Sequence, residues 1–343
     1  MIMKQRIGWL VLLSILLAAP LLGVYPVLVM KFLCFALFAA AFNLLLGYTG
    51  LLSFGHAAFF GGSSYLAAYA CKEWGLTPEL AVIAGMLTGA LLGWLFGMLA
   101  IRRHGIYFAM ITLALAQLVF FIALQAPFTG GEDGLQNVPR GKLFGLLDLS
   151  DDLNLYYVVV VIVCAAFMLL VRCVHSPFGQ VLKGIRENEP RARSLGYNVE
   201  SYKLQAFVIS AAISGLAGAL KVIVLGFASL TDVHWSTSGQ VILMTLVGGM
   251  NNLLGPVVGA SLVLILENKI GDIGLFLAQL TSIKWFGSLS ESVTMVIGFM
   301  FMACVLFFRN GLLGTFHMLA RSLKGRSRVA RSVKAPPSTK DGT

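Results

Sequence analysis

The chain has 343 residues, 58% hydrophobic and only 12% charged, with a formal net charge of +10. Soluble domains are about 25% charged, and a chain this greasy cannot hide its apolar surface in water, so its solvent is the bilayer. The positive charge sits at the edges of apolar runs and in a C-terminal tail rather than on a basic–aromatic surface, which excludes nucleic acid as a partner.

In chain order, Lys4 and Arg6 precede an apolar run from Ile7 to about Met30, with Ala18-Ala19-Pro20 inside it. The run is longer than the core of a secretory signal, so it reads as an uncleaved first span. A span needs about 20 apolar residues. Ten are predicted, over roughly 7–25, 27–46, 51–71, 79–101, 105–126, 154–172, 204–226, 238–250, 253–268 and 290–308. The eighth and ninth are short and flank a glycine-rich reversal, Gly248 to Pro256. Short or broken spans are tolerated only where protein or a water-filled cavity covers the backbone. The expected architecture is an all-α, polytopic membrane helical bundle, with a permease domain over 1–320 and a basic, disordered tail over 321–343.

Charge supplies the orientation. With the N-terminus inside and ten spans, the inner segments hold 18 of the 25 Lys and Arg residues. The outer segments hold Lys72, Arg140, Lys142, Lys269 and Lys284 and most of the acids. Basic excess marks the cytoplasmic side, so both termini are expected there. Lys31 and Lys221 fall within spans and are expected to snorkel to an interface. The five cysteines, Cys34, Cys71, Cys164, Cys173 and Cys304, show no metal spacing and read as small apolar residues.

The fourth span carries Gly85, Gly89, Gly93 and Gly97, one glycine every four residues. They stack on one helix face and invite close helix packing. Ser214-Gly215 and Gly218, then Gly255 and Gly259, hint at the same.

A polar island, SPFGQVLKGIRENEPRARSLGYNVES, runs from Ser176 to Ser201 between apolar segments. Ser176-Pro177 is a helix start, a hydroxyl cap before a first-turn proline. Val181, Leu182 and Ile185 share one face. Asn188-Glu189-Pro190 starts a second short helix, and Gly196 suits the left-handed position that stops it. Two readings stand: a rigid knob for a partner, with Glu187, Glu189, Arg191 and Arg193 on its surface, or an amphipathic loop resting on the membrane.

Several chemistries are missing. There is no G-x-x-x-x-G-K-[ST] phosphate loop, no H-E-x-x-H, no G-x-S-x-G and no Cys/His cluster. Ser53 with His56, and His175 with Ser176, have no third carboxylate to complete a hydrolytic triad. The chain is therefore read as no enzyme and as holding no cofactor. His56, in SFGHAAFFGG, reads either as a hydrogen-bonded packing residue or as part of a solute path. No repeated mid-span acid suggests a proton relay.

At this point a resemblance enters. GYTGLLSFGHAAFFGGSSYLAAY (Gly47 to Tyr69), GIYFAMITLALAQ (Gly105 to Gln117), TGGEDGL (Thr129 to Leu135), the polar island and LVGGMNNLLGPVVGA (Leu246 to Ala260) follow one another in the order of signatures of bacterial branched-chain amino acid ABC transporter permeases of the LivM type. The resemblance covers about Phe42 to Arg309. It implies a multi-pass protein of the bacterial inner membrane. Its implied partners are a second, related permease subunit, two cytoplasmic ATPase subunits that bind the ATP, a periplasmic substrate-binding protein and the lipid bilayer. On this resemblance Arg186, Glu187, Asn188, Glu189, Arg191 and Gly196 form the coupling loop that docks on the ATPase. Thr129, Gly130, Gly131 and Gly134 face the binding protein. Ser53, His56, Thr112 and Gln117 are candidates for the translocation path. Relatives that move urea or short amides, and a self-contained ion-coupled carrier, are the alternative readings.

Overall fold

The structure is a computed structural model. It describes residues 25–281 except 146 and 251, plus isolated positions at 16, 20, 23, 295, 298, 299, 302 and 306. The predicted first span, almost all of the tenth, and the basic tail lie outside the described residues.

Ten helices are described: α1 (Pro26–Thr49), α2 (His56–Lys72), α3 (Pro78–Ala100), α4 (Ile106–Gln125), α5 (Asp152–His175), α6 (Pro177–Glu187), α7 (Glu189–Ser194), α8 (Val199–Leu225), α9 (Trp235–Gly248) and α10 (Gly255–Thr281). A two-stranded hairpin, β1 (Lys142–Leu143) with β2 (Leu147–Asp148), is a small addition to the all-helical expectation. Prolines open α1, α3, α6 and α7 in the first turn, where their missing N–H costs nothing. Asp151 caps α5 by accepting from the Leu153 amide.

Five of the described helices, α1, α3, α4, α5 and α8, are long and apolar enough to cross a bilayer. They fall into two layers. The most apolar stretches of α1 and α8 are 72% and 78% buried, against 33%, 28% and 39% for α3, α4 and α5. Thus α1 and α8 form the centre, and the outer three turn Leu87, Leu91, Met110, Phe121, Val161 and Met168 outward, as lipid-facing helices should.

The glycine stripe of α3 works as its spacing predicts. Gly85 packs against Ala219, Gly89 and Gly93 against Ala211, and Gly97 against Leu204, all on α8. A methyl group added at Gly89 would sit 2.9 Å from the Gly215 Cα. On its other side α8 presents Gly218 to the backbone of Phe60 on α2. Small residues thus let α8 be gripped from two sides.

Three predicted spans differ from expectation in their bounds. The third begins at His56 rather than residue 51, because residues 50–55 run as non-helical chain before α2. The eighth, α9, has 14 residues and so covers about 21 Å, less than the roughly 30 Å of a hydrocarbon core. Gly248, Gly255 and Gly259 bring α9 and α10 into backbone contact at the reversal between them. The ninth was expected to stop near residue 268, but α10 continues through Thr281, with Gly271 and Gly274 inside it. Lone glycines weaken a helix without ending it.

Contacts between loops sort them to two ends. At one end His104 meets Glu189, and Arg186 donates to the Gly47 carbonyl. At the other, Lys72 donates to the Gln136 carbonyl, Leu135 bridges Ala228, and Arg140 reaches the Val224 carbonyl. Helices α1 to α5 and α8 therefore alternate in direction.

Candidate functional site

The interior break is built around the start of α2. His56 Nε2 lies 2.9 Å from Ser210 Oγ, and that hydroxyl donates to the Ala41 carbonyl at 2.6 Å. A serine has one proton to give, so His56 is the donor through Nε2, and its Nδ1 is left without a partner. Ala41 stands eight residues before the end of α1, about 12 Å along the helix. The first turn of α2 therefore begins inside the bundle, not at its rim.

A helix that starts in apolar surroundings has orphan amides to satisfy. Hydroxyls do this here. The Phe54 amide donates to Thr112 Oγ1 at 3.1 Å, Gly55 to Ser53 Oγ at 3.1 Å and Ala57 to Ser238 Oγ at 2.8 Å. Ser238 stands in the first turns of α9, so two short helices meet with their N-terminal ends together. Edge-on rings of Phe42, Phe59 and Phe207 enclose His56. Ser53, His56 and Thr112 are thus brought together, all fully buried. Gln117 is not: five residues on from Thr112, it is turned about 140° around α4 and is half-buried.

The polar island folds as two helices. Ser176 caps α6 by accepting from the Gly179 amide, and Asn188 caps α7 by accepting from the Arg191 amide. Leu182, Ile185, Ala192 and Val199 are buried beneath, which makes the island a packed unit. Gly196 ends it at φ +88°, a conformation that a side chain would resist.

The six candidate coupling residues divide into two groups. Glu187, Asn188, Arg191 and Gly196 face outward, beside exposed Leu195 and Tyr197. Glu189 and Arg186 turn toward the bundle. Glu189 accepts from Lys203 Nζ at 2.6 Å and from Arg193 at 3.1 Å, and lies 3.7 Å from His104. Partial burial works to raise its carboxyl pKa, but the Lys203 hydrogen bond and charge, with His104 and Arg193 behind them, hold it below the ordinary range. Arg186 bonds to Gly47, and its stem lies 3.2 Å from where a Gly50 methyl would stand. The island is therefore fastened to α8, to the α3–α4 turn and to the end of α1. Six residues past Gly50 comes His56, so the same stretch of chain links the knob to the interior break.

At the opposite end, the candidate loop residues are also divided. Thr129 is buried, and its one hydroxyl proton is shared between the carbonyls of Ala123 and Ala126, both at 2.6 Å. Gly134 is pressed on the Ala228 carbonyl, leaving no room for a side chain. Gly130 is exposed and Gly131 partly so, and the acids Glu132 and Asp133 lead outward between the buried pair.

Lys221 does not snorkel, contrary to expectation. It is buried and paired with buried Asp232, which sits in a single 3-10 turn, Leu230–Asp232, after the end of α8. Sequence reasoning also missed Lys203, His104, Ser210 and Ser238. An uncompensated lysine in an apolar helix was the available signal, since it demands an acid nearby.

Residues 27–307 match the family described as the branched-chain amino acid transport system / permease component. The chain belongs to that family. It is 28% identical over 295 residues to the high-affinity branched-chain amino acid transport system permease protein LivM of Salmonella typhimurium, covering 78% of this chain and 69% of that protein. It is 30% identical over 258 residues to the LivM protein of Escherichia coli, covering 67% and 60%. A probable LivH permease of Methanocaldococcus jannaschii is 24% identical over 240 residues, covering 65% and 72%. No solved structure matches the chain. The family and the apolar helices together make this a multi-pass membrane transport protein.

Proposed function

We propose that the chain is the permease subunit of an ATP-driven importer for branched-chain or related amino acids in the bacterial inner membrane. In this reading the chain crosses the bilayer ten times with both termini inside, the short α9 completing its crossing with non-helical chain that the surrounding protein covers. The end bearing Arg102, Arg103, Lys183, Arg186, Arg191, Arg193 and Lys203 faces the cytoplasm, in keeping with the basic excess there. A second permease subunit completes the path, two ATPase subunits bind and hydrolyse ATP, and a periplasmic protein delivers the solute.

One observation carries the reading. A packed two-helix knob is tied by Arg186 to Gly47, three residues before the non-helical stretch 50–55 that leads to His56. Nucleotide closure of the ATPases pushes the outward face, at Glu187, Asn188, Arg191 and Gly196. The push reaches residues 47–56 through Arg186 and α8 through Glu189. The α2 start shifts, and with it the hydroxyl-capped meeting point of α2 and α9. Alternating access then needs only a differential contact at the knob between nucleotide states.

The test is reconstitution. The chain alone in liposomes should concentrate no leucine. With its companion permease, ATPases and binding protein, it should do so on ATP addition. Arg191→Glu should cut uptake at least about tenfold, the effect of a coupling loss near 1.4 kcal/mol, with insertion and assembly unchanged. Gradient-driven uptake by the isolated subunit would establish the rival carrier, whose one structural support is the buried Lys221–Asp232 pair.

A further inference from the structure

Lys221 and Asp232 form an ion pair whose side chains are 6% and 7% exposed. Every other ion pair among the described residues has at least one partner more than 20% exposed. A buried pair contributes little net stability, because desolvation offsets the attraction, and charge in an apolar helix marks a solute path more often than a strut. Asp232 also accepts from the Ser229 amide in the capping box of its 3-10 turn, but that cap needs only the carboxylate and does not call for a buried lysine beside it.

Its surroundings suit a ligand. Lys221 Nζ lies 6.0 Å from the centre of the Phe60 ring and 5.5 Å from that of Phe227. The hydroxyl of Tyr65, a buried side chain, has no hydrogen-bond partner, and Tyr65 lies within the electrostatic reach of the Asp232 carboxylate. Lys221 is four residues from the end of α8, about 6 Å along the axis. The pair is covered by residues 226–234, where Phe227 is only half-buried and Thr231, next to Asp232, is exposed. This cover is joined to the TGGEDGL loop through the Leu135–Ala228 bridge.

We propose that Lys221 and Asp232 bind the two charged groups of a zwitterionic α-amino acid as it enters from the outer side. The solute carboxylate takes Lys221 and its ammonium takes Asp232. Both oxygens of Asp232 accept from Lys221 in the resting pair. When the lysine is drawn away, the ammonium and the free Tyr65 hydroxyl replace it. No charge is left bare in either state, so the exchange avoids the cost of an unpaired buried ion. Phe60 and Phe227 flank the site with apolar surface, and motion of the TGGEDGL loop would lift its cover. The inference rests on the amino-acid importer reading and adds a place where the solute's head group is held.

The experiment is equilibrium binding of radiolabelled leucine to the full chain in nanodiscs. Saturable binding is expected, competed by unlabelled leucine but not by isoamylamine or 4-methylpentanoate, which each keep one charge. The double variant Lys221→Met/Asp232→Asn removes both charges and leaves no bare ion. It should weaken binding at least about thirtyfold, as loss of two charge-assisted contacts implies. Wild-type affinity in the double variant overturns the proposal. So does the absence of saturable binding, or equal competition by a singly charged analogue, and these wild-type readouts decide the matter if the variant does not fold. If the assembled wild type imports leucine but binding fails, only this inference falls. If binding holds and ATP-driven import does not occur, the importer reading falls instead.

Discussion

Helix α8 carries a lysine near each end of one face. Lys203 and Lys221 are 18 residues apart, five full turns and about 27 Å. Each reaches an acid in a short loop helix, Glu189 at one end and Asp232 at the other. The resemblance stops there. Glu189 is shared among Lys203, Arg193 and His104 and is 23% exposed, whereas among the described residues Asp232 pairs with the single cation Lys221 and both are buried. Water and spare cations can stand in at the first junction when it opens. At the second, any separation leaves bare charge in apolar surroundings unless something charged arrives to replace it. A junction that yields under force belongs at the driven end, and a junction that yields only to a charged solute belongs at the entry end.

The largest effect should come from breaking the buried pair on one side only. Asp232→Asn leaves Lys221 uncompensated and should lower stability by about 3–5 kcal/mol, read as a fall in thermal midpoint in detergent. The double variant Lys221→Met/Asp232→Asn should recover most of that loss. A single variant that melts like the wild type would mean that water already reaches the pair, and the contrast between the two ends would collapse.

Next in size is the packing that keeps the two lysines in register. Gly89→Leu forces a side chain into the Gly215 and Ala211 backbone and should cost about 1–3 kcal/mol as overpacking. Gly184→Ala is the control, since nothing lies near its missing side chain. Equal behaviour of the two would show that α3 and α8 are not in the contact described.

How much of this could be read from the chain depends on range. The α3 stripe, the caps at Ser176 and Asn188, and the stop at Gly196 are local patterns in which the residues that matter are neighbours in sequence. They came out as expected. The start of α2 was misplaced because residues 51–55 are as apolar as a helix, and what breaks them is capping by Thr112 and Ser238, far along the chain. Glu189 reads as a surface residue of the knob because its charge is visible in the sequence, while Lys203 and His104, which turn it inward, belong to other elements. Lys221 was given an interface for the same reason: its partner lies past a helix end, in a turn with no apolar signature of its own.

The pH response should separate the two ends more finely. The Glu189 carboxyl is held below its ordinary value of 4.5. A depressed carboxylate contributes stability that is fully present above the unfolded value and is lost as pH falls through the folded one. The knob should therefore loosen only below about pH 4.5, the ordinary value, seen as faster amide exchange in residues 177–200 before the bundle melts. Glu189→Gln should abolish that dependence. Loosening that persists in Glu189→Gln would place the titrating group elsewhere.

The smallest effect tests the redundancy itself. Arg193 is about half exposed and shares Glu189 with Lys203. An exposed i,i+4 pair contributes about 0.3–0.5 kcal/mol, and Lys203 remains to hold the acid when Arg193 is gone. Arg193→Ala should therefore leave the melting midpoint and the exchange of residues 177–200 close to wild type. Lys203→Ala removes the buried partner and should speed that exchange clearly. If the order is reversed, the exposed arginine holds the knob, Glu189 is fastened to its own helix rather than to α8, and a push on the knob has no ionic route into the central helix.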